Sequence, residues 1–202
     1  MQKLLLLAVS VALLVVPGSA APCSPGSLAS YIAMASAGCE LGSLQVSHFA
    51  YKSGASGGAA KITADQITVT PLLVPGNYSL QFAAPWSVES GQKQGSDITY
   101  QVASSNTALP IQEVRLDGTG FKAGLIGSVV VNQAFATPAI THSLEVYLKC
   151  TDACRAETSA DVPLTPAAGA LVVVDHVTLD SGQGDVSMTS FTDWLVVCLP
   201  CV

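Results

Sequence analysis

Charge is scarce in this chain, and basic charge is scarcest. Lys and Arg number 8 against 14 Asp and Glu, charged residues make up 11% of the 202, and the formal net charge is −6. An acidic surface repels phosphate, which argues against nucleic acid and anionic lipid as partners. Helical periodicity is nearly absent after residue 40, and no internal repeat or linker divides the chain. Signatures of catalysis are missing as well. His48, His142 and His176 stand apart, without an HExxH or HxH pattern. No GxSxG elbow supplies a nucleophile. The Cys198-Leu-Pro-Cys201 run resembles a redox motif, but such a motif belongs at a helix N-terminus in an α/β fold that this chain lacks. No cofactor and no metal site are therefore expected, and a non-enzyme is the leading reading.

What is present speaks of export. Lys3 precedes an apolar run from Leu4 to Val16, Pro17-Gly18 breaks it, and Ser19, Ala20 and Ala21 follow. This predicts a signal peptide over residues 1–20. The run falls short of the roughly 20 residues that a membrane-spanning helix needs, so no transmembrane anchor is evident. The remainder has a length that suits one domain, set at residues 21–193, with an apolar tail at 194–202. Six cysteines, an even number in an exported chain, favour disulfides. Cys23 and Cys39 bracket a short helical segment. There Ser27 is placed to cap, Leu28, Tyr31, Ile32 and Ala35 share one face, and Gly38 closes the turn. Cys150 and Cys154 have the spacing of a local bridge across a turn. The alternative, zinc held by those two with Cys198 and Cys201, suits an oxidising compartment poorly. The pairing of Cys198 and Cys201 stays open.

From Leu44 the apolar period becomes two. Leu44, Val46, His48 and Ala50 fall on one face and Phe49 and Tyr51 on the other. Ser53 to Ala60 reads as a flexible loop. Pro71 and Pro85 are taken to end strands, and Asp117-Gly118 to mark a turn. Ile98, Tyr100 and Val102 point inward, as do Leu144, Val146 and Leu148. Nine or ten short strands punctuated by Gly, Pro, Asn and Asp predict an all-β fold, a two-sheet antiparallel sandwich of jelly-roll or immunoglobulin-like kind.

Several short stretches resemble a known family. They are Ser27-Leu-Ala-Ser-Tyr-Ile32, Ala37-Gly-Cys39, His48-Phe-Ala-Tyr51, Asp65 to Pro71, Leu80-Gln-Phe82 and Trp86-Ser-Val88. Together they resemble exported bacterial ectodomains that often end in a PEP-CTERM sorting signal. The resemblance implies a secreted or cell-surface β-sandwich and supplies no catalytic residues. The sorting signal itself is missing, since the chain ends Trp194-Leu-Val-Val-Cys-Leu-Pro-Cys-Val202 without Pro-Glu-Pro or a terminal Arg cluster.

Candidate chemistry is thin. Asp175-His176 looks like part of a triad, but adjacent strand residues point to opposite faces. Glu89, Asp97, Glu113 and Glu145 are scattered, and no spacing singles out a pair for glycoside hydrolysis. Asp180 to Asp185 offers too few oxygens for calcium and reads as a hairpin. Trp86, beside Pro85 at a strand edge, is the candidate for stacking on a sugar ring, with capping of the core as the other reading. The expected function is a secreted, non-catalytic sandwich of the cell envelope or extracellular matrix, partnered by polysaccharide or envelope components. A carbohydrate-binding module is the alternative, and a hydrolase with an unrecognised site is the second.

Overall fold

The computed structural model describes residues 20–137 and 141–197. The signal-peptide expectation (apart from Ala20), Cys198 and Cys201 lie outside the described residues. Among the described residues the chain forms two antiparallel sheets packed as a sandwich, with one short α-helix. In the six-stranded sheet the order is β1 (Gly26–Ser27), β4 (Thr68–Val74), β5 (Asn77–Val88), β13 (Val186–Val197), β7 (Ile111–Thr119) and β11 (Ser159–Ala168). In the seven-stranded sheet it is β10 (Cys154–Glu157), β9 (Thr141–Cys150), β8 (Ile126–Ala136), β12 (Ala170–Gln183), β6 (Lys93–Ser104), β3 (Leu44–Ser56) and β2 (Cys39–Leu41).

Alternation explains most of this. On β12, Leu171, Val173, Val177 and Leu179 are buried, and on β6 so are Ile98, Tyr100 and Val102. The same phase on β13 buries Phe191 and Leu195 from the facing sheet. Six rings join across the interface in a chain from Tyr31 through Phe49, Tyr100, Phe82 and Phe191 to Trp86, with centroids 5.1–6.0 Å apart. Such pairs contribute about 0.5–1.5 kcal/mol each beyond their burial.

Helix α1 (Leu28–Ala33) starts as the sequence predicts, with the Ser27 side chain accepting from Ser30 N. Leu28 and Tyr31 plug it into the core. Cys23 and Cys39 are bonded, as are Cys150 and Cys154.

Several local readings are corrected. Pro71 lies inside β4, where β1 pairs only with Thr68 and Val69, so β4 is an edge there and the missing N–H leaves no gap. Pro85 lies inside β5 at the register shift opposite Met188 and Ser190, a bulge that needs no donor. Asp117-Gly118 is strand, not turn; glycine is needed there because the Phe121 ring lies where a Cβ would be. Residues 53–56 extend β3, so the expected loop starts later. His48 has φ +54 at a second register shift. That bulge changes the phase of β3, so Phe49, rather than His48, enters the core. The edge strand β11, with Pro163 and Pro166, is a strand that the sequence pattern hid. The expected tail also begins too early, because Trp194 to Val197 complete β13, Trp194 to Val196 pairing with both neighbours and Val197 with β7.

Candidate functional site

Trp86 is not available to a ligand. It is 1% exposed, its ring packs at 5.9 Å from Phe191, and its Nε1 donates to Ser96 Oγ at 3.2 Å. The stacking role is withdrawn, because the β5 bulge turns the residue after Pro85 inward. Trp194 is the more exposed tryptophan. It lies half-buried on the outer face of the six-stranded sheet, where its Nε1 donates to Asp117 Oδ2 at 2.8 Å and Arg115 sits over its ring at 5.6 Å. Arg115 in turn grips Asp117 with two bonds, 3.0 and 2.6 Å, so this group is closed upon itself.

The outer face of the seven-stranded sheet is different. Register places Tyr147, Val130, Thr178, Gly95 and Gly54 in one row across β9, β8, β12, β6 and β3. On one side runs the row Glu145, Asn132, His176, Asp97 and Lys52; on the other, Lys149, Ser128, Asp180, Lys93 and Ser56. Thr178, Gly95 and Gly54 thus form a low stretch between two polar rows, while Val130 and Tyr147 fill the other end of the row. With strands about 4.8 Å apart, the row is about 19 Å long. A depression of ≈ 280 Å³ opens at its β3–β6 end, lined by Gly54, Lys93, Gly95, His176 and Thr178 among others.

The glycines forming the floor have no structural reason to be glycine. Neither has a positive φ. A Cβ on Gly54 meets nothing within 4 Å, and one on Gly95 meets only Val177 O, at an ordinary 3.6 Å. Glycine inside a strand costs stability, and close approach of a ligand is a recognised use for it.

The flanking groups are paired but wet. Lys93 Nζ contacts Asp180 Oδ2 at 2.6 Å, Lys149 Nζ contacts Glu145 Oε1 at 2.7 Å, and His176 Nδ1 contacts Asp97 Oδ1. Their side chains are 37–61% exposed. Exposed pairs of this kind contribute little to stability, at about 0–1 kcal/mol. At the far end Lys149 Nζ lies 4.4 Å from the Tyr147 ring centroid. The arrangement offers donors and acceptors along both sides of a shallow open trough. His176 and Asp175 do point to opposite faces, as expected: His176 is exposed in the trough and Asp175 is fully buried.

Asp175 belongs to a second constellation, one the sequence reading missed. Between the sheets it meets Gln133 of β8, Tyr100 of β6 and Asp193 of β13, and all four are fully buried. Tyr100 Oη donates to Asp193 Oδ2 at 2.7 Å, and Gln133 Nε2 donates to Asp175 Oδ1 at 3.2 Å. Asp175 Oδ2 and Asp193 Oδ1 are buried without a hydrogen-bond partner among the described residues. Burial pushes the Asp175 carboxyl well above the ordinary carboxylate range, reinforced by the facing Asp193. Burial likewise pushes Asp193 up to about 7. A signal existed: Asp175 shares the phase of Leu171, Val173, Val177 and Leu179, and Asp193 that of Phe191 and Leu195.

No protein-family model matches the sequence, and no curated protein matches it. Among solved structures, the enzymatically active domain of bacteriophage CBA120 tailspike protein 4 is similar over 73% of this chain and 19% of that one, at 13% identity and TM-score 0.33. This chain therefore spans about a fifth of that structure. The module TmCBM61, solved with β-1,4-galactotriose, is similar over 71% of this chain and 86% of its own, at 12% identity and TM-score 0.33. Endoglucanase 3 of Trichoderma harzianum, from family GH12, is similar over 72% and 97%, at 9% identity and TM-score 0.25. At such scores and identities these likenesses carry no argument about ligand or reaction.

Proposed function

We propose that this chain is an exported, non-catalytic β-sandwich that binds a linear glycan along the trough of the seven-stranded sheet. The observation that carries this reading is the pair of cross-strand glycines, Gly54 and Gly95, kept in strand interiors with room for side chains. A floor without side chains lets a flat sugar ring approach the backbone, while Lys93, Asp180, Asp97, His176 and Lys52 match hydroxyl groups from both sides. The low stretch from Thr178 to Gly54, about 10 Å across three strands, suits about two sugar rings of a linear glycan. The two disulfides support export to an oxidising compartment. The resemblance to PEP-CTERM-type ectodomains belongs with the same reading.

A binding role is favoured over hydrolysis by the spacing of carboxylates. Asp97 and Asp180 lie two rows apart on the face, about 13 Å along the strands. Glycoside hydrolysis needs two carboxyls about 5–9.5 Å apart. Asp175 and Asp193 are fully buried, where no substrate reaches them.

The test is Gly95→Leu, assayed by affinity electrophoresis and calorimetry against a panel of soluble linear polysaccharides. The backbone at Gly95 is unstrained and its Cβ position is open, so the variant is expected to fold with unchanged or higher stability. Its leucine occupies the trough, and affinity for the polysaccharide bound by the wild type is expected to fall at least tenfold. Undiminished affinity in the folded variant, or no binding by the wild type across the panel, would overturn the proposal.

A further inference from the structure

The carboxyls of Asp175 and Asp193 come from opposite sheets and are both fully buried, and two of their four oxygens have donors from neighbouring side chains. One oxygen of Asp193 accepts from Tyr100 and one of Asp175 accepts from Gln133. The other two, Asp175 Oδ2 and Asp193 Oδ1, are buried without a hydrogen-bond partner among the described residues. Two ionised carboxylates are acceptors only and cannot bond one another. A bond between them requires a proton on one of the two.

We infer that Asp175 and Asp193 hold one shared proton between the sheets, and that this proton is a latch whose loss at rising pH loosens the sandwich. Among the described residues no cation is aimed at the pair. Within its sheet Asp175 has Ile98 of β6 and Gln133 of β8 as cross-strand partners. Asp193 has Leu80 of β5 and Leu116 of β7. Tyr100 is the titratable group that these packed strands aim at the pair, and burial, then the charges of Asp193 and Asp175, hold its hydroxyl protonated. The charged residues on the same strands lie on outer faces: Asp97, His176, Lys93 and Asp180 on the trough, Glu113, Arg115 and Asp117 opposite. With the proton gone, two negative charges meet in a region where each is costly to desolvate and no cation among the described residues answers them.

The direction of the effect follows. A carboxyl in the unfolded chain titrates near about 3.9, whereas the folded pair holds its proton to higher pH. The contribution is therefore fully present below the unfolded value and erodes as pH rises. Burial raises both carboxyls, so the contribution is lost as pH rises through the raised folded titration of the pair, for which Asp193 is pushed up to about 7. Wherever the folded state holds one proton more than the unfolded chain, the folding equilibrium constant falls about tenfold per pH unit.

The test compares chemical denaturation of the full chain and of Asp193→Asn from pH 5 to 8. Asparagine can still accept from Tyr100 and donate to Asp175, so it keeps the contacts without the proton. The wild type is expected to lose stability across this range, and the variant to lose it with a slope smaller by about one proton. A wild-type curve that is flat or rising, or an equal slope in the variant, overturns the latch. If Asp193→Asn does not fold, the wild type labelled with ¹³C at its aspartate carboxyls gives the answer by NMR. A protonated aspartic acid persisting at pH 6 supports the shared proton, and complete ionisation of every aspartate at that pH overturns it.

Discussion

Trp86→Ala is expected to cost the fold about 3–5 kcal/mol, the range for removing a large aromatic from a packed core. The ring ends the aromatic chain against Phe191 at 5.9 Å and is 1% exposed, so its removal leaves a cavity that the two sheets cannot easily close. A polar consequence is added. Trp86 Nε1 donates to Ser96 Oγ, which also bonds Tyr51 Oη at 3.0 Å, and Tyr51 Oη donates in turn to Ile62 O at 2.9 Å. This relay runs from β5 across the interface to β6, β3 and the segment after it. Trp86→Phe keeps most of the apolar volume and forfeits only the bond to Ser96, worth about 0.5–1.5 kcal/mol net. Urea denaturation of the wild type and both variants checks the order: wild type, then Phe, then Ala well below. Glycan affinity of the folded fraction is expected to be the same in Trp86→Phe and wild type. A stable Trp86→Ala that has lost binding would instead make Trp86 a ligand residue.

The reading of Trp86 illustrates what can be seen in a sequence. Period-two alternation in Ile98-Tyr100-Val102 or Leu144-Val146 is a property of one strand, and it sufficed to predict a sandwich and its inward faces. Proline is read correctly only when its position in the sheet is known. Pro71 sits on an exposed edge and Pro85 on a bulge, so neither ends its strand, and the bulge at Pro85 decides which way Trp86 points. The bulge at His48 is of the same kind: one extra residue reverses the face of everything after it. The trough was less legible still. Gly54 and Gly95 become neighbours only through the register of β3 with β6, and in the sequence each looks like a loop or turn residue. The latch was half visible. The phase of Asp175 and Asp193 marks each as inward, yet that they face one another depends on how two sheets stack, for which neither strand carries a local signal.

The two disulfides are expected to differ sharply in what they contribute, although their chemistry is the same. The Cys23–Cys39 bridge spans 16 residues of sequence and the Cys150–Cys154 bridge spans 4. Loop-closure entropy assigns about 3 kcal/mol to the first and about 2 kcal/mol to the second. The structure widens that gap. Cys150 and Cys154 are directly paired in the β9–β10 ladder, so the hairpin already holds its ends together, and β10 is exposed along its whole length. Cys23 and Cys39 instead tie α1 to β2. A six-residue helix does not persist alone in water. Its buried Leu28 and Tyr31 cap one end of the core, and Tyr31 is the first ring of the aromatic chain. Losing the bridge frees this cap and exposes Phe49 behind it. Cys23→Ser with Cys39→Ser is therefore expected to lower Tm by about 6–12 °C, at about 2–4 °C per kcal/mol for a chain of this size. The Cys150→Ser, Cys154→Ser variant should shift by less than half of that, with residues 24–38 protected from protease only where the first bridge remains. Equal shifts in calorimetry, or a larger one for the short bridge, would show that α1 is held by packing alone and that the N-terminal bridge merely records its position.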